Sequence, residues 1–155
     1  MGRASARRRE RQDRKRVLLD RVLRAIIAEL RVILKRVAPG YYERFPNAGR
    51  PCHTCAFNPS TDNWQGFDAT VSGLMKSIWH DNPFYCHENI PWKKPTEDWT
   101  PEDHRQFKEH AQLCSGFAML LCPEANREAK AVLVKVAKAN GKELAGVVEG
   151  VFVDG

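Results

Sequence analysis

The sequence predicts a mainly α fold, a small helical domain that follows a long basic helix. Apolar residues recur at steps of three and four in four separate stretches, the spacing that lines one face of a helix. Helix-ending and helix-starting residues punctuate those stretches: Pro39-Gly40, Asp81-Asn82-Pro83, Thr100-Pro101 and Asn140-Gly141. The 155 residues suit one compact unit with an appended arm.

The first helix is expected from the N-terminus to about Val37. Leu19, Leu23, Ile26, Leu30, Ile33 and Val37 form its heptad-like stripe. Fewer than three heptads are covered, so packing on the rest of the domain is favoured over pairing with another copy or another protein. Pro39-Gly40 should end it. A second helix is expected from Asp68 to His80, with Val71, Leu74, Met75, Ile78 and Trp79 on its apolar face and Asp68 or Thr70 as its cap. Thr100-Pro101-Glu102-Asp103 starts a third. Running to Leu121, it would set Phe107, Ala111, Cys114, Ala118 and Leu121 on one buried face. Pro123 opens a fourth helix, which Asn140-Gly141 should end at about Ala139. Residues 147–153 read as a short strand or ordered coil.

Charge is distributed unevenly. Residues 1–36 hold thirteen Lys/Arg against four acids, and the remainder holds twelve against fifteen. Arg7, Arg8, Arg9, Arg11, Arg14, Lys15 and Arg16 crowd the opening of the first helix. Such an arm suits an acidic partner, DNA or RNA before an anionic membrane. No apolar run approaches the ~20 residues that span a bilayer, and no secretory leader pattern is present, so a cytoplasmic protein is expected.

Cysteine spacing is the most specific feature. Cys52-x2-Cys55 is followed by Cys86 and Cys114, so three separate chain segments would converge on one centre. In a reducing compartment such a set binds metal more often than it forms disulfides. Four thiolates fit a tetrahedral zinc ion or a [4Fe–4S] cluster. One close pair with two dispersed ligands favours the cluster, with zinc as the alternative. Phe57, Phe84, Tyr85 and Phe117 lie within three residues of these cysteines and would exclude solvent. His53 and His87 each follow a cysteine and are candidates for hydrogen bonds to its sulfur. Gly116 would let backbone approach the centre closely. Cys122 reads as a small buried hydrophobe near a helix end. Three divisions follow: a basic helical arm over 1–40, a four-cysteine metal or cluster core over 41–122, and a C-terminal helix and tail over 123–155.

Arg50-Pro51-Cys52-x-x-Cys55, Phe84-x-Cys86-His87 and Leu113-Cys114-x-Gly116-Phe117 together resemble an uncharacterised family of small actinobacterial and actinophage proteins. That family carries Pro-Cys-x-x-Cys-x-[Phe/Tyr], Phe-x-Cys-His, and Cys-x-Gly before an aromatic. The resemblance covers residues 50 to 120. It implies a bacteriophage-type protein in which Cys52, Cys55, Cys86 and Cys114 form one site with His87 near it, and it implies no activity.

The sequence lacks a nucleotide-binding glycine loop and a Ser-His-Asp arrangement, and His104 and His110 around Glu109 do not form His-Glu-x-x-His. A non-catalytic, cluster-bearing module associated with nucleic acid is therefore the expected function. Its alternatives are a zinc-stapled protein-interaction module and a small electron-transfer protein. Trp64, Trp79, Trp92 and Trp99 could offer stacking surfaces to single strands, with the Trp92-Lys93-Lys94 loop the best placed.

Overall fold

The computed structural model describes residues 2–61, 70–85, 98–110 and 113–152; the expectations for Asp68, Trp64, Cys86, His87, Trp92 to Lys94 and Ala111 fall outside them. The described part is mainly helical: α1 (Arg3–Arg44), α2 (Val71–Trp79), α3 (Pro101–His110), α4 (Ser115–Ala118), α5 (Pro123–Ala139) and α6 (Gly141–Val148). A 3-10 turn, Met119–Leu121, joins α4 to α5. The described residues contain no strand, only an isolated antiparallel bridge between Tyr85 and Leu113.

α1 packs mainly on α5, and α2 packs against both; α6 folds back onto α5 and α2. The stripe on α1 is wider than a heptad seam. Val22, Leu23, Ile26, Ile27, Leu30, Ile33, Leu34 and Ala38 are all buried, with Leu19 and Val37 partly so. This chain's own core therefore covers the face from Leu23 to Ile33. On α5, Ala125, Ala129, Leu133 and Val136 are buried, as the spacing predicts. Small Ala125 and Ala129 permit close helix approach, while Leu133 fills the space beyond.

Local signals explain most boundaries. The Thr70 hydroxyl accepts from the Gly73 amide at 3.0 Å and caps α2. Thr100 and Asp103 form a reciprocal box at the start of α3: the Asp103 amide donates to the Thr100 hydroxyl, and the Thr100 amide to the Asp103 carboxylate. Pro123 opens α5 and Asn140 closes it.

Three expectations need correction. α1 does not stop at Pro39-Gly40 but continues to Arg44. Proline within a helix costs about 3 kcal/mol; the next turn offsets this by packing Tyr41 and Tyr42 on the core, and the Phe45 amide donates to the Tyr41 carbonyl at 2.8 Å. Second, Pro101 to Leu121 is not one helix. Cys114 is extended, its amide donates to the Phe84 carbonyl at 2.8 Å, and α4 starts only after it. Third, the stretch after Asn140 forms α6, so Val147 and Val148 are helical rather than strand or coil. Buried Leu144 supplies the apolar anchor that stabilises this short helix. Beyond it, Val151 is buried and Phe152 meets Trp79 edge-on, with ring centres 4.5 Å apart.

Two neighbours on α1 separate packing from helix propensity. Leu30 is fully buried and Val32 is 68% exposed. Leu30→Ala should cost about 2–5 kcal/mol and Val32→Ala no more than about 0.5 kcal/mol in urea unfolding.

Candidate metal centre

The site begins as a tight loop. Cys52 and Cys55 are joined by a turn in which the Cys55 amide donates to the Cys52 carbonyl at 3.1 Å, and the Asn58 amide then donates to the Cys55 carbonyl at 3.0 Å. The Phe57 amide points at the Cys55 sulfur, 3.4 Å away. An N–H aimed at sulfur favours the thiolate. The Asn58 side chain locks the loop from outside, donating to the Cys52 carbonyl at 2.9 Å and accepting from the Ser60 amide at 2.9 Å.

The third cysteine arrives from another part of the chain. The Cys114 sulfur lies 3.5 Å from the Cys55 sulfur, and both residues are only 3% exposed. Tertiary packing enforces this meeting. The rings of Phe57, Phe84 and Phe117, each beside one of the cysteine segments, lie 5.1–5.5 Å apart. Gly116 sits against the Phe57 backbone, and a Cβ there would fall 2.5 Å from the Phe57 carbonyl oxygen. Gly116 thus permits a close approach, and the neighbour it admits is the Cys52–Cys55 loop.

Burial and the hydrogen bond to Cys114 are felt by the thiol of Cys55. That bond, then burial, then the Cys114 charge raise its pKa far above the ordinary thiol value, against smaller opposing effects from the Phe57 amide and Cys52. The neighbouring sulfur and burial thus favour the neutral form of the Cys55 thiol. Cys52 is half-buried, its sulfur 3.9 Å from the Thr54 hydroxyl.

The remaining candidates are placed as follows. Cys86 and His87 lie outside the described residues, and Cys86 follows in sequence directly after Tyr85, which bridges to Leu113. Among the described residues no group of three or more His, Cys, Asp or Glu is arranged to hold a metal ion. His53 is exposed. Tyr85 is 39% exposed and its ring packs on Phe107. Cys122 is half-buried rather than buried, and lines a separate cavity of about 450 Å³ with Tyr41, Phe45 and Met119. Arg7, Arg8, Arg9, Arg11, Arg14, Lys15 and Arg16 are all exposed on α1. Trp79 and Trp99 are half-buried, held by Phe152 and by Phe107 with His104 respectively.

One residue escaped the sequence reading. Arg31 is 7% exposed, and its guanidinium donates to the carbonyls of Ala56 and Asn58 at 2.9 Å and to that of Thr61. The signal was present: Arg31 interrupts the apolar face formed by Ile27, Leu34 and Ala38, where a charge must find buried partners.

No family model, curated protein or solved structure matches the chain. No described helix is long and apolar enough to cross a membrane.

The Gly116 contact makes a sharp contrast with Gly146, where an added Cβ meets nothing within 4 Å. Gly116→Ala should destabilise the fold by about 1–3 kcal/mol through overpacking. Gly146→Ala in α6 should stabilise it by about 0.5–1 kcal/mol. Thermal unfolding of the two variants measures both.

Proposed function

We propose that this protein is a non-catalytic, metal-stapled helical module whose basic arm engages nucleic acid. The metal centre is one ion held by Cys52, Cys55 and Cys114, with Cys86 as the fourth thiolate. The observation that carries this is the 3.5 Å separation of the Cys55 and Cys114 sulfurs. Metal–sulfur bonds of about 2.3 Å in a tetrahedron set thiolates about 3.8 Å apart, which two cysteines so placed meet with little movement. Thiolates of a [4Fe–4S] cube radiate from separate irons and splay farther apart. Zinc is thus favoured over the cluster. The cluster remains the second reading because the Phe57, Phe84 and Phe117 rings form the dry wall that a redox-sensitive centre needs.

The ion would act as a staple rather than a reagent. It would close the segment between α1 and α2, which carries Cys52 and Cys55, onto Cys114 just before α4. Because the thiols must lose their protons to bind metal, affinity should rise with pH. Carefully prepared protein should carry about one zinc per chain and no acid-labile sulfide. Cys55→Ser and Cys114→Ser should strip it and destabilise the fold, whereas Cys122→Ser should retain it. About four irons with matching sulfide would instead support the cluster.

The arm reading rests on the exposure of seven cations on a helix whose first fifteen residues are all exposed. At 1.5 Å per residue this stretch reaches about 22 Å, several phosphate spacings along a duplex. Labelled DNA and RNA should bind at low salt and dissociate steeply as salt rises, with a log–log slope of about −0.9 per phosphate contact on duplex DNA. Deleting residues 1–16 should remove this affinity and leave the metal content unchanged. Retained binding after the deletion would place the contact elsewhere.

A further inference from the structure

The loop that carries Cys52 and Cys55 has few backbone partners of its own, yet three of its carbonyls converge on one side chain from another element. Ala56, Asn58 and Thr61 all direct their oxygens at the Arg31 guanidinium. Arg31 stands twenty-five to thirty residues earlier, on the buried face of α1, in a turn fixed by Ile27, Leu30 and Leu34. A planar fork of five N–H donors can satisfy several carbonyls at once, which an ammonium group cannot do at the same positions.

We propose that Arg31 is a positioning residue of the metal centre: it holds the Cys52–Cys55 loop in its ligating shape before metal arrives, and sets a permanent positive charge beside the thiolates once it has bound. This rests on the metal reading above. Two physical effects combine. The loop would otherwise lose conformational entropy on binding the ion, and a loop already fixed avoids that loss. Four thiolates around a divalent ion also leave two excess negative charges, next to the buried Cys55 and Cys114. A guanidinium bonded to the Ala56 carbonyl, one residue from Cys55, offsets part of them. Groups that orient metal ligands in this way change affinity by about 10–100-fold when removed.

The two effects separate experimentally. Arg31→Lys keeps the charge and loses the fork; Arg31→Met loses both. Cobalt(II) is the probe, titrated into the full metal-free chain under reducing conditions, with affinity taken from competition against a chelator and geometry from the visible absorption of the bound ion. The unfolding midpoint with excess chelator is measured on the same samples, so that lost stability is not mistaken for lost affinity. Wild type should bind most tightly, Arg31→Lys several-fold more weakly, and Arg31→Met at least about tenfold more weakly with a changed cobalt spectrum. Unchanged affinity and spectrum in Arg31→Met, with or without a lower unfolding midpoint, would overturn the positioning role while leaving the metal site intact. Absence of cobalt binding to wild type would overturn both readings. If Arg31→Met does not fold, Arg31→Lys decides alone: wild-type affinity and spectrum there refute the role of the fork.

Discussion

The middle of this protein depends on a buried cation and the carbonyls around it. Between the end of α1 and Thr61 the described chain forms no helix or strand, only a succession of turns. Ordering each such residue costs roughly 1–2 kcal/mol of conformational entropy, and a buried carbonyl without a donor adds to that cost. Arg31 answers the carbonyls of Ala56, Asn58 and Thr61 together. The dependence is mutual, because a guanidinium on the apolar face of α1 would be prohibitive without partners. Neither the helix position nor the loop conformation is acceptable alone. Their combination fixes where Cys55 stands relative to α1, and Phe57 and Gly116 then fix Cys114 relative to Cys55.

Much of the helical framework was legible because its signals are local. α5 begins and ends where Pro123 and Asn140 say it should, and α2 and α3 start on hydroxyl caps three residues ahead of the amide or acid they pair with. The break at Cys114 was not legible. Phe107, Cys114 and Leu121 keep the heptad spacing whether the helix is continuous or interrupted. What interrupts it is tertiary: the Cys114 amide is claimed by Phe84, and Leu113, 58% exposed, is turned out beside Tyr85. Pro39 misled in the opposite direction. Its penalty is local and visible, whereas the packing of Tyr41 and Tyr42 that outweighs it is neither.

For the candidate site, the sequence pointed to Cys55 and Cys114 as members of one group but not to the distance between them. That Cys55 and Cys114 should be neighbours followed from counting thiols; how near their sulfurs stand did not. Separation is the quantity that distinguishes one ion from a cube of four. Arg31 shows the same limit from the other side. An arginine within an apolar stripe announces that buried acceptors exist somewhere, yet nothing in its neighbourhood says they lie twenty-five to thirty residues downstream. Cys122 was read as distinct from the other cysteines, and it faces a cavity beside Tyr41.

α1 also joins the two halves of the functional reading. Its first fifteen residues are poorly equipped to be helical by themselves. Gly2 offers no side-chain cap, the first turn holds no acid, and Arg3 stands where the helix dipole disfavours a cation. Arg7, Arg11 and Lys15 follow one another at four-residue spacing, and each like-charge pair at that spacing costs a few tenths of a kcal/mol. An isolated helix of this length is marginal in water even with a favourable sequence. The arm is helical because it extends a helix nucleated and anchored by the buried residues from Val22 onward. A polyanion laid along it would relieve that repulsion. The same buried stretch carries Arg31, so the element that presents the cations is held at its base by the loop that presents the cysteines. A staple through those cysteines would stiffen the base of the arm without touching the arm itself, and that is the physical sense in which a metal could serve a binding surface it does not contact.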